Sequence, residues 1–182
     1  MAGELARMWR VAVGLATQRF DELRAGGEYL AAEQAGRVWQ QGQADLGDRF
    51  SRLAASLRKE FNISSGSGGD GGGVPEHPFH WYGSVSKAGR GYATFAEMHN
   101  AEREPELAIT ADFHREGPAL KYSCEIALDR QRLRQGPAGT VNIPHGVLGS
   151  YPAIKSALTE IGRFIDDSGP FLLDQLRALP ET

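Results

Sequence analysis

Residues 106–128 alternate in a way that collects a histidine, a serine and carboxylates on one face of a β-hairpin. Leu107, Ile109, Ala111 and Phe113 alternate with Ala108, Thr110, Asp112 and His114. Leu120, Tyr122, Cys124, Ile126 and Leu128 then alternate with Lys121, Ser123, Glu125 and Ala127. A period of two is the signature of a half-buried strand. Between the runs, Arg115-Glu116-Gly117-Pro118 is turn chemistry. Matching the apolar faces sets Phe113 opposite Tyr122, Ala111 opposite Cys124 and Ile109 opposite Ile126. His114 then faces Lys121, and Thr110 faces Glu125. A one-residue slip would expose a whole apolar set, so this register is specified by the pattern itself.

The polar face of such a hairpin offers groups for general acid–base or nucleophilic work. Every alternating strand, however, gathers polar residues on its wet side. Docking of a protein partner is therefore the simpler use, and Asp112, His114 and Glu125 are expected there, with no residue assigned a catalytic role. The rival expectation is a small enzyme or a ligand or metal sensor whose pocket uses His114, Asp112, Glu125 or His80.

The chain's five histidines are His77, His80, His99, His114 and His145. His77-Pro78-Phe79-His80 suggests a metal, with Glu76 or Asp112 as a carboxylate ligand. Zinc needs several ligands converging on one point, and Pro78 keeps these two histidines off a common helical face. No metal and no cofactor are expected. Cys124, the single cysteine, lies on the apolar face and reads as a small buried hydrophobe. It excludes an internal disulfide and suits a reducing cytoplasm. The stretch Gly83–Gly91 lacks the spacing of a phosphate loop and joins strand to strand, so it reads as a hairpin turn. Lys87 and Arg90 at its tip could contact an acidic partner. Arg130-Gln131-Arg132-Leu133-Arg134 reads as a solvated link.

These residues must be positioned by strands and helices with a clear order. Two strands are expected before the hairpin, at 79–85 and 91–98, making a four-stranded antiparallel meander, with a further short strand at 140–143. Ser150 can cap a helix in which Ile154, Leu158, Ile161 and Ile165 form a stripe, with Pro152 in the first turn. Asp167-Ser168-Gly169-Pro170 stops it, and a last helix bears Phe171, Leu172, Leu176 and Leu179. Strands followed by helices predict an α+β domain over residues 74–182, its sheet covered by the two C-terminal helices.

Residues 4–62 are helix formers without proline. One helix is expected to Ala25, a break at Gly26-Gly27, and a second helix to about Phe61, weakened at Gly36, Gly42 and Gly47. Trp39, Leu46, Phe50, Leu53 and Leu57 form its apolar stripe. Between helices and sheet lies Ser64-Ser65-Gly66-Ser67-Gly68-Gly69-Asp70-Gly71-Gly72-Gly73, read as a flexible tether over 64–73. A tether would free residues 1–63 as a helical hairpin or coiled-coil-like arm for oligomerisation or docking. Its stripe would then meet an outside partner, or a second copy of the chain. The N-terminal apolar residues Met8, Trp9, Val11, Val13 and Leu15, among Arg7, Arg10 and Arg19, also fit a basic amphipathic helix on a membrane, although burial in a bundle is the simpler expectation.

With 20 basic and 23 acidic residues in 182, the net charge of −3 gives no field for nucleic acid. The apolar run Val11–Ala16 is far too short to span a bilayer, which takes about 20 apolar residues, and no export signal is read. The sequence thus predicts a bacterial-type, cytoplasmic, non-enzymatic interaction protein: an adaptor, a regulatory subunit or an immunity-type inhibitor. Its expected partner is a protein, either another chain or a second copy of itself through residues 1–63.

Overall fold

A computed structural model describes residues 2–25, 28–71, 78–87, 105–142 and 151–179. The elements run α1 (Ala2–Ala25), α2 (Glu28–Leu57), β1 (Ile63–Gly71), β2 (Phe79–Lys87), β3 (Glu106–Glu116), β4 (Ala119–Leu128), β5 (Gln131–Asn142), α3 (Tyr151–Asp166) and α4 (Gly169–Ala178). The strands form one five-stranded sheet in chain order, with every neighbouring pair antiparallel. The architecture is α+β with five strands. Three of the four expected ones, at 79–87, 106–116 and 119–128, are joined by β1 and β5. Strand β2 pairs directly with β3, so the expected meander with a strand at 91–98 between them is corrected.

One of the two added strands is the glycine- and serine-rich segment. Residues 63–71 pair with β2 along their full length, from Ile63 opposite Lys87 to Gly71 opposite Phe79. The expected flexible tether over 64–73 is therefore corrected for residues 64–71; residues 72 and 73 lie outside the described residues. Glycine gives up more backbone freedom than any other residue on ordering, by roughly 0.5–1 kcal/mol relative to alanine. Here a continuous hydrogen-bonded ladder opposes that loss. The expected strand at 91–98 lies outside the described residues, as does Ser150. Residues 140–142 of the expected short strand are the end of the longer β5, and Arg130–Arg134 is a turn residue followed by strand rather than a solvated link.

With no tether after it, α2 lies on the sheet. Trp39, Leu46, Phe50, Leu53 and Leu57 are buried in the chain's own core, each at most 6% exposed. Their expected role as an outward docking stripe is corrected, because their apolar partners are supplied within the chain. Trp39 stacks on Phe79 of β2 at 5.0 Å and meets Phe113 of β3 edge-on at 5.1 Å. Phe50 stands edge-on to Trp81 at 5.9 Å. Contacts of this kind add about 0.5–1.5 kcal/mol each beyond the area they bury.

The contact is close because glycines make room for it. A Cβ on Gly83 would lie 2.6 Å from the Phe50 ring, and one on Gly42 would lie 2.7 Å from the Leu158 side chain. The expectation that Gly42 weakens its helix thus misses its use, which is to let α3 approach α2. Helix α2 runs unbroken through both Gly42 and Gly47.

Both C-terminal helices form where the spacing predicts them. Ile154, Leu158, Ile161 and Ile165 of α3 are buried, as are Leu172 and Leu176 of α4. Ser168 between them is fully buried; its hydroxyl donates to the Phe164 carbonyl at 2.6 Å, and its own carbonyl accepts from Leu172 N–H at 3.0 Å. Arg49 of α2 pairs with Asp45 at 2.8 Å and reaches Asp166 of α3. Arg177 of α4 pairs with Glu60 at 2.7 Å. Helices α2, α3 and α4 thus share one face of the sheet, while residues 3–18 of α1 are exposed throughout.

Candidate functional site

The opposite face of the sheet carries the polar half of every alternation, and no described element covers it. The hairpin register is the one its pattern predicts: Phe113 pairs with Tyr122, Ala111 with Cys124, Ile109 with Ile126, His114 with Lys121 and Thr110 with Glu125. Adding the neighbouring strands produces cross-strand rows. One runs Asp70, His80, Asp112, Ser123 and Ala138. The next runs Gly68, Tyr82, Thr110, Glu125 and Gln135. Paired residues on one face stand about 4.5–5.5 Å apart at Cβ, so each row is a line of interacting side chains.

At the centre, His80 Nδ1 donates to Asp112 Oδ1. An ionised carboxylate only accepts, so this contact sets the proton on Nδ1 and leaves Nε2 as the acceptor of the neutral ring. The two side chains are 47% and 45% exposed, which keeps the pair open to solvent. Tyr82 lies beside the imidazole, ring centroids 6.2 Å apart, and is itself 45% exposed. Ser123, by contrast, sits across Asp112 from His80. Two strand spacings separate serine from imidazole, roughly 9–10 Å. A serine nucleophile beside its base is not assembled on this row.

Below the dyad, Glu106, Thr110, Glu125, Asp129 and Arg130 line an open depression of about 370 Å³. Its rim is the β4–β5 turn, where Asp129 (φ 47°) and Arg130 (φ 71°) are both left-handed. Such a pair matches the twist of a two-residue hairpin, at some strain for an arginine. Asp129 stabilises the turn by exchanging two hydrogen bonds with Glu106, each 3.0 Å. Arg132 pairs with Glu125 at 2.9 Å, and Lys121 pairs with Glu116. The Lys121 ammonium holds the Glu116 carboxyl below its ordinary range, first through the hydrogen bond and then through its charge.

The expected site residues divide. Asp112, His114 and Glu125 lie on the uncovered face, as their alternation requires. Lys87 does not. Its register partner is Ile63, on the core side of the sheet. There its ammonium donates to the Leu179 carbonyl at 2.7 Å and lies over the Phe61 ring at 5.3 Å. Lys87 therefore ties the end of α4 to the sheet and is corrected as a recognition residue. Arg90, His77, His99 and His145 lie outside the described residues. Among the described residues no group of three or more His, Cys, Asp or Glu is placed to hold a metal. Arg134 is also drawn to the helical side, over Phe164 and Phe171 at 5.4 Å each.

Cys124 is 1% exposed. Burial, reinforced by the charges of Asp112 and Glu125, pushes its thiol up to about 12. A thiol held neutral in this way is neither nucleophile nor ligand at neutral pH. Tyr82 was not among the expected site residues, although an aromatic ring at a polar position of an alternating strand is a readable signal. No described helix is long and apolar enough to cross a membrane. A scan against protein-family models, a search of curated proteins and a search of solved structures each return no match to this chain.

Proposed function

We propose that this chain is a non-enzymatic interaction protein that receives a protein partner on the uncovered polar face of its sheet. As an adaptor, regulatory subunit or immunity-type inhibitor it would work in a bacterial cytoplasm, where its lone thiol stays reduced. One observation carries the reading: helices cover one face of the sheet, while the other holds His80, Asp112 and Tyr82 half exposed among Thr110, His114, Lys121 and Glu125. An oriented imidazole, an aromatic ring and carboxylates of fixed spacing suit a polar surface of mixed charge. Tyrosine in particular supplies contact area at low entropic loss.

A photo-crosslinking residue at Tyr82 tests this, with the same residue at Ser156, an exposed position on α3, as the comparison. One adduct should form from position 82 and disappear in the Asp112→Ala/His114→Ala chain. Equal labelling from both positions would sink the proposal.

A second reading rests on the His80–Asp112 hydrogen bond. An imidazole whose tautomer is set by a carboxylate has Nε2 prepared to take a proton or bind a metal, as in a small enzyme or a ligand or metal sensor. Zinc titration followed by the His80 ring resonances separates the two, because a docking histidine leaves them unmoved.

A further inference from the structure

Helix α1 carries apolar side chains that enter no interior. Leu5, Met8, Trp9, Val11, Val13 and Leu15 are between 47% and 72% exposed. At 100° per residue they occupy, together with Ala12 and Ala16, an arc of roughly 200°. The complementary sector holds Arg7, Arg10, Thr17 and Gln18 with two glycines. Within residues 3–18 Glu4 is the exception, near one edge of the arc and in the first turn, where the helix dipole favours a carboxylate.

We propose that α1 lies on an anionic lipid bilayer, its apolar arc sunk to the boundary of headgroups and acyl chains and Arg7 and Arg10 against the lipid charges. Three features favour this occupant over a second copy of the chain. The arc is much wider than the seam a two-helix contact buries, whereas a helix lying in an interface buries about half its circumference. The segment 2–18 has two arginines and one glutamate, net +1, in a chain of net −3, so the charge beside this arc is opposite in sign to that of the whole chain and of anionic lipid. Trp9, amphipathic and 72% exposed, is the ring that the interfacial zone prefers. The helix lies on the surface and does not cross, since no described helix is long and apolar enough to do so.

Trp9 also reports on the event. The other two tryptophans, Trp39 and Trp81, are 2% and 1% exposed, so a change in emission on binding belongs to Trp9. The full-length chain is mixed with vesicles of phosphatidylcholine alone, or of equal parts phosphatidylcholine and phosphatidylserine, and floated on a density gradient. It should float with the anionic vesicles, with a blue shift absent from Trp9→Phe, and added salt should weaken binding. Arg7→Glu/Arg10→Glu, which leaves the arc intact, should lose about 30-fold or more in partitioning, at roughly 1 kcal/mol per basic residue near the surface. Leu5→Glu/Leu15→Glu should abolish flotation, with thermal unfolding unchanged because these side chains touch no core. Failure to float with anionic vesicles overturns the proposal, as does binding that survives both double substitutions. So does a lipid-free dimer in sedimentation whose Trp9 shift follows protein concentration, which would make a second copy the occupant.

Discussion

Gly83→Ala tests the seating of α2 on the sheet with a single methyl group. Two effects of opposite sign meet at this position. Replacing a strand glycine with alanine lowers the entropy of the unfolded chain and by itself stabilises by about 0.5–1 kcal/mol. The new Cβ, however, would lie 2.6, 2.7 and 2.8 Å from three atoms of the Phe50 ring. That ring is rigid, 2% exposed, and held edge-on to Trp81 at 5.9 Å, so it has no free direction to move. Overpacking of this kind costs about 1–3 kcal/mol, so a net loss of about 1–2 kcal/mol is expected. For a chain of this size that lowers the thermal midpoint by roughly 2–8 °C. Gly66→Ala is the control, because nothing lies within 4 Å of its Cβ. It should be neutral or stabilising by up to about 1 kcal/mol. Phe50→Leu should be milder in the Gly83→Ala background than alone, with a coupling of at least about 0.5 kcal/mol. Urea unfolding of the four-member cycle measures all of these. A Gly83→Ala chain as stable as the parent, with no coupling to Phe50, would show that α2 does not sit on β2 and would return its stripe to an outside partner.

Other outcomes follow from the same packing. Leu46 is fully buried, so Leu46→Ala should destabilise by about 2–5 kcal/mol, with a midpoint independent of protein concentration; a midpoint that rises with concentration would contradict an intrachain partner. Cys124, its thiol pushed up to about 12, should resist a maleimide at neutral pH until the chain unfolds, and rapid labelling of the native protein would refute its burial. Glu116 should titrate by NMR below an ordinary glutamate, and Lys121→Gln should move its midpoint upward. The sign for stability follows: a carboxylate made more acidic by folding contributes stability above its ordinary midpoint and loses it as pH falls through the lowered one. Lys121→Gln should therefore reduce stability at neutral pH while leaving it unchanged in strong acid; an unmoved Glu116 midpoint would show that the ion pair does not form.

How much of the site could be read in the chain depended on whether each residue's role was local. The β3–β4 register was legible to the residue, because apolar side chains on alternate positions leave only one pairing that buries them all. Asp112, His114 and Glu125 followed from it. The His80–Asp112 contact was not legible, since it depends on which strand pairs with β3 from the other side. Lys87 was misplaced for the same reason: a lysine expected at the tip of a turn reads as solvent-facing until its neighbours are known, whereas it ends β2. There α4 ends against the sheet and offers the Leu179 carbonyl.

The sequence by itself determined the periodicities: α3 and α4, the β3–β4 hairpin and the amphipathic stripe of α2. Only the tertiary structure decided what met that stripe, and the reason lies in the glycines. A run such as Ser65–Gly71 has no apolar side chains through which to state a preference, so local physics favours a tether, and the strand arises from backbone pairing that β2 alone can supply. Gly42 and Gly83 likewise read as weakness along the chain and become close contacts once Leu158 and Phe50 lie over them. A missing side chain carries no pattern of its own; its meaning is set by what packs into the space it leaves.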